Sequence, residues 1–270
     1  METGIKNLRI KYQGENSIDP CLELLVEHGV LVIEDFLVED MLKSLIQEYE
    51  NILKLENDVI SAIDYPQGVA RRIEFSKLDA NSFPKTHEVF NMEFMKKVTN
   101  RYLGTPNHFN HEIYVARDEH EEFNALNKLH YDKLSTLKFF LYLNDIDKSN
   151  GAFEAVPGSH KLAQSIMEFY RKRGKKLAKL PNRELPEELQ NAVPMEAKAG
   201  SLIVFTTDTY HRAGRVEKGK NRMIMRGHSR PDPMPKYSPS IFSKQWFNES
   251  ILNPSRYIYG VSDLIGGKEA

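Results

Sequence analysis

The chain has 270 residues, with 37 Lys+Arg against 38 Asp+Glu. That near-neutral balance excludes an electrostatic design for nucleic acid or an anionic membrane surface, and the length suits one large domain. The single cysteine, Cys21, excludes an intramolecular disulfide and any zinc site built on paired cysteines, and it fits a reducing compartment.

The opening "METGIKNLRIKYQGENS" has no signal-like apolar core, and no apolar run approaches the roughly 18 residues that span a bilayer, so a cytoplasmic protein is expected. From Pro20 to Val30, "PCLELLVEHGV" reads as a helix closed by Gly29, and "VLVIEDF" then reads as a β-branched strand. Apolar residues at helical spacing follow from Val38 to Asn57 and from His87 to Leu103. Pro106 and two asparagines in "TPNHFNHE" favour a solvated turn over a metal pair for His108 and His111.

Beyond Asn110 the pattern changes to short runs rich in Ile, Val, Phe, Tyr and Thr: "HEIYVAR", "STLKFFLYLND", "GAFEAVPGSH", "GSLIVFTTDTYH" and "NRMIMRGHS". Turn signals such as Ser149-Asn150-Gly151 separate them. No repeat or linker divides the chain, so a single domain over 1–270 is expected, mainly β with helical support and a double-stranded β-helix, or jelly-roll, core. Within it, 1–110 reads as mainly helical support, 111–230 as the core with a lid-like insertion at 161–195, and 231–270 as a C-terminal extension. The basic run at 171–179 reads as a solvated helical face, and Trp246 as packing across the barrel or at a homodimer contact.

"KLHYDKLSTLKFFLYL" carries the chemistry. If it is extended, His130 and Asp132 project to one side while Tyr131 faces away. His211, at the end of "SLIVFTTDTYH", offers a second imidazole. Two histidines and a carboxylate form the facial triad that suits Fe(II) and leaves coordination positions open for oxygen chemistry. Arg222 begins the next strand, where a buried guanidinium suits two-pronged binding of the far carboxylate of a dicarboxylate cosubstrate. If Arg222 faces the pocket, Ile224, Arg226 and His228 share its side. Arg226 then either holds an anionic group of the substrate or pairs with an acid at the rim. Lys133 and Ser135 either line the mouth or lie on the surface.

Taken together, "HYD" at His130 to Asp132, "FFLYLNDIDKSNGAFEAVPGSHK" from Phe139, "AGSLIVFTTDTYH" from Ala199 and Arg222 resemble the iron(II)- and 2-oxoglutarate-dependent oxygenases, specifically the phytanoyl-CoA hydroxylase-like group. The N-terminal "EHGVLVIEDFLVEDMLKSL" is similar to that group's opening helix, strand and helix. The resemblance implies that His130, Asp132 and His211 bind iron, that Arg222 binds 2-oxoglutarate, and that Phe140 stands against this cosubstrate. It also implies that O₂ is consumed, that succinate and CO₂ are released, and that a small organic molecule is hydroxylated at an unactivated C–H bond. Asp132 favours hydroxylation, since relatives that halogenate have a small residue in its place. Two features depart from the group: Ala213 stands where a serine is common, and "RAGRVEKGKN" lacks the usual asparagine-containing loop. Desaturation, epimerisation or ring closure by the same cofactors, or a non-catalytic jelly roll that binds a metal or ligand, are the alternatives.

Overall fold

The computed structural model describes residues 8–55, 60–63, 68–120, 128–132, 136–164 and 191–232. Most of the expected lid, the basic run at 171–179, Lys133, Ser135 and Trp246 lie outside the described residues. In chain order the elements are β1 (Arg9–Lys11), α1 (Ile18–His28), β2 (Val30–Glu34), α2 (Glu39–Lys54), β3 (Ile60–Ile63), β4 (Gly68–Glu74), α3 (Pro84–Phe90) and α4 (Glu93–Leu103). There follow β5 (Asn107–Asp118), β6 (Leu137–Tyr142), β7 (Glu154–Ala155), β8 (Val193–Pro194), β9 (Leu202–Thr206), β10 (His211–Arg212) and β11 (Arg222–Pro231).

Among the described residues the strands form two sheets, a large one in the order β1-β2-β9-β6-β11-β5-β4-β3 and a small one in the order β10-β7-β8. Every pairing in the large sheet except β1 with β2 is antiparallel. This is the expected mainly β jelly roll with helices on one side. No helix among the described residues is long and apolar enough to cross a membrane.

Side-chain parity divides the interior into two cores. On β6, Leu137, Phe139 and Leu141 pack with the helices, whereas Phe140 and Tyr142 pack between the sheets. The same split separates Leu202 and Val204 from Ile203 and Phe205 on β9, and Met225 from Ile224 on β11. Successive residues of a strand point to opposite faces, and a sheet covered on both sides therefore reads as continuous apolar sequence. The face away from the helices is the one that encloses the site.

The segment expected to be helical support also contributes β1, β2, β3 and β4 to the large sheet. β4 gave no alternating signal because Arg71 and Arg72 interrupt its apolar residues; its place is fixed by antiparallel pairing with β5 from Gly68↔Asp118 to Glu74↔Glu112. The single helix expected from His87 to Leu103 is two, since Met92 is extended with ψ 135°. α3 starts early, at Pro84, because Glu48 on α2 caps it: its carboxylate accepts the N–H groups of Lys85 and Thr86 at 2.8 and 2.7 Å and the Thr86 hydroxyl at 2.7 Å. His108 and His111 lie in β5 instead of a loop. The irregularity that Pro106 and the asparagines suggested is a bulge, where the register shifts between His228 and Arg230 and Asn110 takes a positive φ of 36°.

α1 ends as expected on Gly29, which has φ +74° and donates its N–H to the Leu25 carbonyl at 2.9 Å. A Cβ on Gly29 would collide with Thr209 Oγ1 and the His160 ring. His160, 1% exposed, donates from Nε2 to the Val26 carbonyl at 3.1 Å. Gly29→Ala should therefore cost about 1–3 kcal/mol of stability, read from the urea midpoint. Burial pushes the His160 pKa down to about 3 from 6.5. Because the folded value is depressed, the stability from keeping this ring neutral is complete above pH 6.5 and drains as pH falls toward 3. His160→Gln should remove that part of the acid-side slope in urea titrations at several pH values.

Candidate metal centre

His130 makes a lone antiparallel bridge with His211. The His130 N–H donates to the His211 carbonyl at 3.0 Å, and the reverse bond is 2.8 Å. Two residues on, the Asp132 N–H donates to the Thr207 carbonyl at 2.8 Å. Tyr131, between them, turns the other way and is fully buried edge-on against Tyr210, with ring centroids 5.1 Å apart. The expected alternation thus holds over this short span, although regular strand begins only at Leu137.

His211 does not end the strand that starts near Ser201, as expected; β9 stops at Thr206 and His211 opens β10 in the small sheet. The physical reason is the turn between them. The Gly29 carbonyl accepts both the Thr206 N–H and the Thr209 hydroxyl at 3.0 Å, and Ser159 Oγ accepts the Tyr210 N–H at 2.9 Å. Through the Thr207 carbonyl the same turn holds Asp132, and through the Thr209 carbonyl it holds the His211 ring.

One ligand atom each from His130, Asp132 and His211 lies within 4.8 Å of the other two. His130 Nδ1 meets the Lys128 carbonyl and His211 Nδ1 meets the Thr209 carbonyl, both at 2.7 Å. A carbonyl oxygen only accepts, so each Nδ1 carries the proton and each Nε2 presents a lone pair. That donor set, two neutral imidazoles and a carboxylate, fits a divalent iron. Burial pushes the His211 pKa down to about 3, which keeps the ring neutral. Burial alone would raise the Asp132 pKa, but Lys138, whose Nζ lies 3.0 Å from Oδ2, together with the His211 and His130 rings, outweighs it and holds the carboxyl well below its usual range.

The triad opens on a cavity of about 180 Å³. Phe153, Phe205 and Phe140 form its apolar wall; the Phe153 and Phe205 rings stand 5.6 and 5.2 Å from His211. Arg222, Ile224 and Arg226 also line it, as strand alternation required. Arg222 is 2% exposed, and its Nε donates to Asp118 Oδ2 at 2.5 Å. Its Nη2 reaches the same oxygen and its Nη1 the Gly151 carbonyl. The Arg222 guanidinium lies 6.0 Å from the Phe140 ring. Ala213 lines the cavity where a serine was noted as common. Among the described residues Arg226 is not tied to an acid at a rim; it lies 3.8 Å above the Tyr114 ring. His228 is on the same face, cross-strand from Lys138, but is not part of the cavity wall. His108 and His111, with ring centroids 6.3 Å apart, contribute nothing to the triad.

The sequence reading missed Lys138 and Asp118. A signal existed for Lys138: it precedes Phe140 by two residues, so alternation turns both to the same side. Asp118 gave none, since its role depends on the pairing Arg222↔Asp118 across two strands.

A family model described as Phytanoyl-CoA dioxygenase (PhyH) matches residues 25–224. The proteins Mb1539 of Mycobacterium bovis and Rv1501 of Mycobacterium tuberculosis are 28% identical over 92 residues, 34% of this chain and only 28% of their own length. Among solved structures, AviO1 from Streptomyces viridochromogenes is 16% identical with a TM-score of 0.54, covering 81% of this chain and 96% of its own. The epimerase SnoN from nogalamycin biosynthesis is 16% identical with a TM-score of 0.57 over 82% of this chain and 88% of its own. HygX from Streptomyces hygroscopicus, solved with nickel, 2-oxoglutarate and hygromycin B, is 16% identical with a TM-score of 0.53, covering 78% of this chain and 86% of its own. At these identities the structural likenesses establish the fold.

Removing a ligand from a three-ligand site costs more than loss of a group behind it, for which about 10–100-fold is usual. Asp132→Ala should therefore lower Fe(II) or Co(II) affinity by more than about 100-fold in anaerobic calorimetry.

Proposed function

The chain belongs to the phytanoyl-CoA dioxygenase family, and we propose that it is a single-domain non-haem iron(II)- and 2-oxoglutarate-dependent oxygenase that hydroxylates an unactivated C–H bond of a small organic molecule. The observation that carries this reading is the convergence of His130, Asp132, His211 and Arg222 on one cavity. Bound at the triad, iron(II) with 2-oxoglutarate and O₂ supplies an oxidant able to break such a bond, with release of succinate and CO₂.

The chain's own residues then have distinct tasks. His130, Asp132 and His211 would hold the metal at the edge of the cavity. Lys138 keeps one Asp132 oxygen engaged, which fixes the orientation of the carboxylate. Arg222, held in place by Asp118, would grip the far carboxylate of 2-oxoglutarate, with Phe140 beside it. Phe153 and Phe205 exclude water from the triad, which strengthens every electrostatic contact inside. A metal hydrolase has no use for the arginine clamp, and this favours the oxygenase reading over that one. Relatives described as an epimerase and a carbocyclase carry the same fold, and product analysis separates these outcomes from hydroxylation.

Purified protein should convert 2-oxoglutarate to succinate only when iron(II) is added, and the rate should rise with the correct substrate in a metabolite screen. Arg222→Lys, which keeps the charge but loses the fork, should raise the KM for 2-oxoglutarate about 10- to 100-fold, with far less change in kcat at saturation. An unchanged KM in a folded variant would remove Arg222 from the cosubstrate site.

A further inference from the structure

We propose that Arg226, with Lys138 beside it, is the receptor for an anionic group of the substrate, so that the enzyme acts on small molecules bearing a carboxylate, sulfate or phosphate. This rests on the oxygenase reading above and adds the class of substrate to it.

Most charges on the cavity face of the sheet are paired. Arg222 is matched by Asp118, and Lys138 by Asp132. Glu112, on the same face of β5, is gripped by both prongs of Arg72. Arg226 has no carboxylate partner among the described residues. Its guanidinium lies 3.8 Å above the Tyr114 ring and 5.9 Å from Phe140, and its Nε is buried without a hydrogen-bond partner. A stacked guanidinium keeps its in-plane N–H edge available, and that edge matches an oxyanion. His228 lies behind Lys138 on the same sheet face, outside the cavity wall, with its backbone paired directly opposite Lys138.

The cosubstrate does not account for this second cationic pole. Arg222 and Arg226 stand four residues apart on one face of β11, about 13 Å along the strand. 2-Oxoglutarate has one carboxylate to offer beyond its metal-binding end, and it cannot serve both. Phe140 borders both poles, with its ring 6.0 Å from one guanidinium and 5.9 Å from the other. The inner pole suits the cosubstrate, and the outer pole suits a second anion that lies against the open side of the triad. Tyr114 and Phe140 would flank the body of that ligand with apolar surface.

The test uses whole protein loaded anaerobically with Fe(II) and saturated with 2-oxoglutarate, so that the inner pole is occupied. Inorganic phosphate, sulfate and acetate are titrated at constant ionic strength, and the thermal midpoint and the visible charge-transfer band of the metal–2-oxoglutarate chelate are followed together. The wild type should show saturable stabilisation by at least one of these anions. Arg226→Gln should weaken that effect by about tenfold or more while leaving the chelate band intact. Should this variant not fold, Arg226→Lys keeps the charge without the fork and should weaken anion binding several-fold. Equal anion stabilisation in the folded variant, or none from any of the three anions in the wild type, overturns the proposal. Loss of the chelate band in Arg226→Gln with its retention in Arg222→Gln would make Arg226 the cosubstrate clamp and also overturn it. Absence of the band from the wild type would instead sink the oxygenase reading.

Discussion

Everything in this molecule depends on the large sheet having two buried faces that must be kept apart. Because a strand alternates its side chains, one residue of slip would exchange the helix-facing core for the cavity-facing one. On β6 that slip would move Phe139 and Leu141 into the cavity and take Lys138 and Phe140 out of it. The register is therefore fixed by packing on both sides at once. Two broad apolar faces make the sheet a rigid frame, and a rigid frame is what a three-ligand site needs.

The candidate ligands themselves come from places where the frame is interrupted. His130 and Asp132 sit on a short extended segment before β6, and His211 on a strand of two residues. What brings them together is the turn after β9, fastened beneath by the Gly29 carbonyl. Gly29 is there because α1 has to stop and the chain has to pass close to Thr209 and His160. A helix cap thus reaches the candidate metal centre through two hydrogen-bonded residues. The aromatic rings of Phe153 and Phe205, 4.4 Å apart, close the space behind the triad.

The buried Arg222–Asp118 pair belongs to a different class of interaction. Such pairs are weak evidence for stability, because removing two charges from water offsets much of their attraction. Its value here is directional. With Asp118 holding one edge of the guanidinium, Arg222 cannot swing away from the cavity, whereas Arg226, stacked on tyrosine, is oriented by a ring. One sheet face thus carries two arginines of unlike setting, and the chemistry proposed for each follows from that setting.

The sequence by itself determined which residues are candidates to hold a metal, the helix ended by Gly29, the apolar strands and the inward direction of Arg222, Ile224 and Arg226. These follow from local chemistry: residue type, turn signals and a period of two. It did not reveal that 60–63 and 68–74 are strands, that the helix expected from His87 to Leu103 breaks at Met92, or that His211 opens a strand of its own. β4 contains two arginines and is a strand because β5 lies beside it; α3 begins where Glu48 of another helix can cap it; and His211 is placed by a carbonyl more than 180 residues away in sequence, as the 180-residue span from Gly29 to Thr209 indicates. Lys138 beside Asp132 was within reach of the alternation rule, but Asp118 beside Arg222 was not. Tertiary structure decided those points because each depends on hydrogen bonds and charges between segments that no local pattern connects.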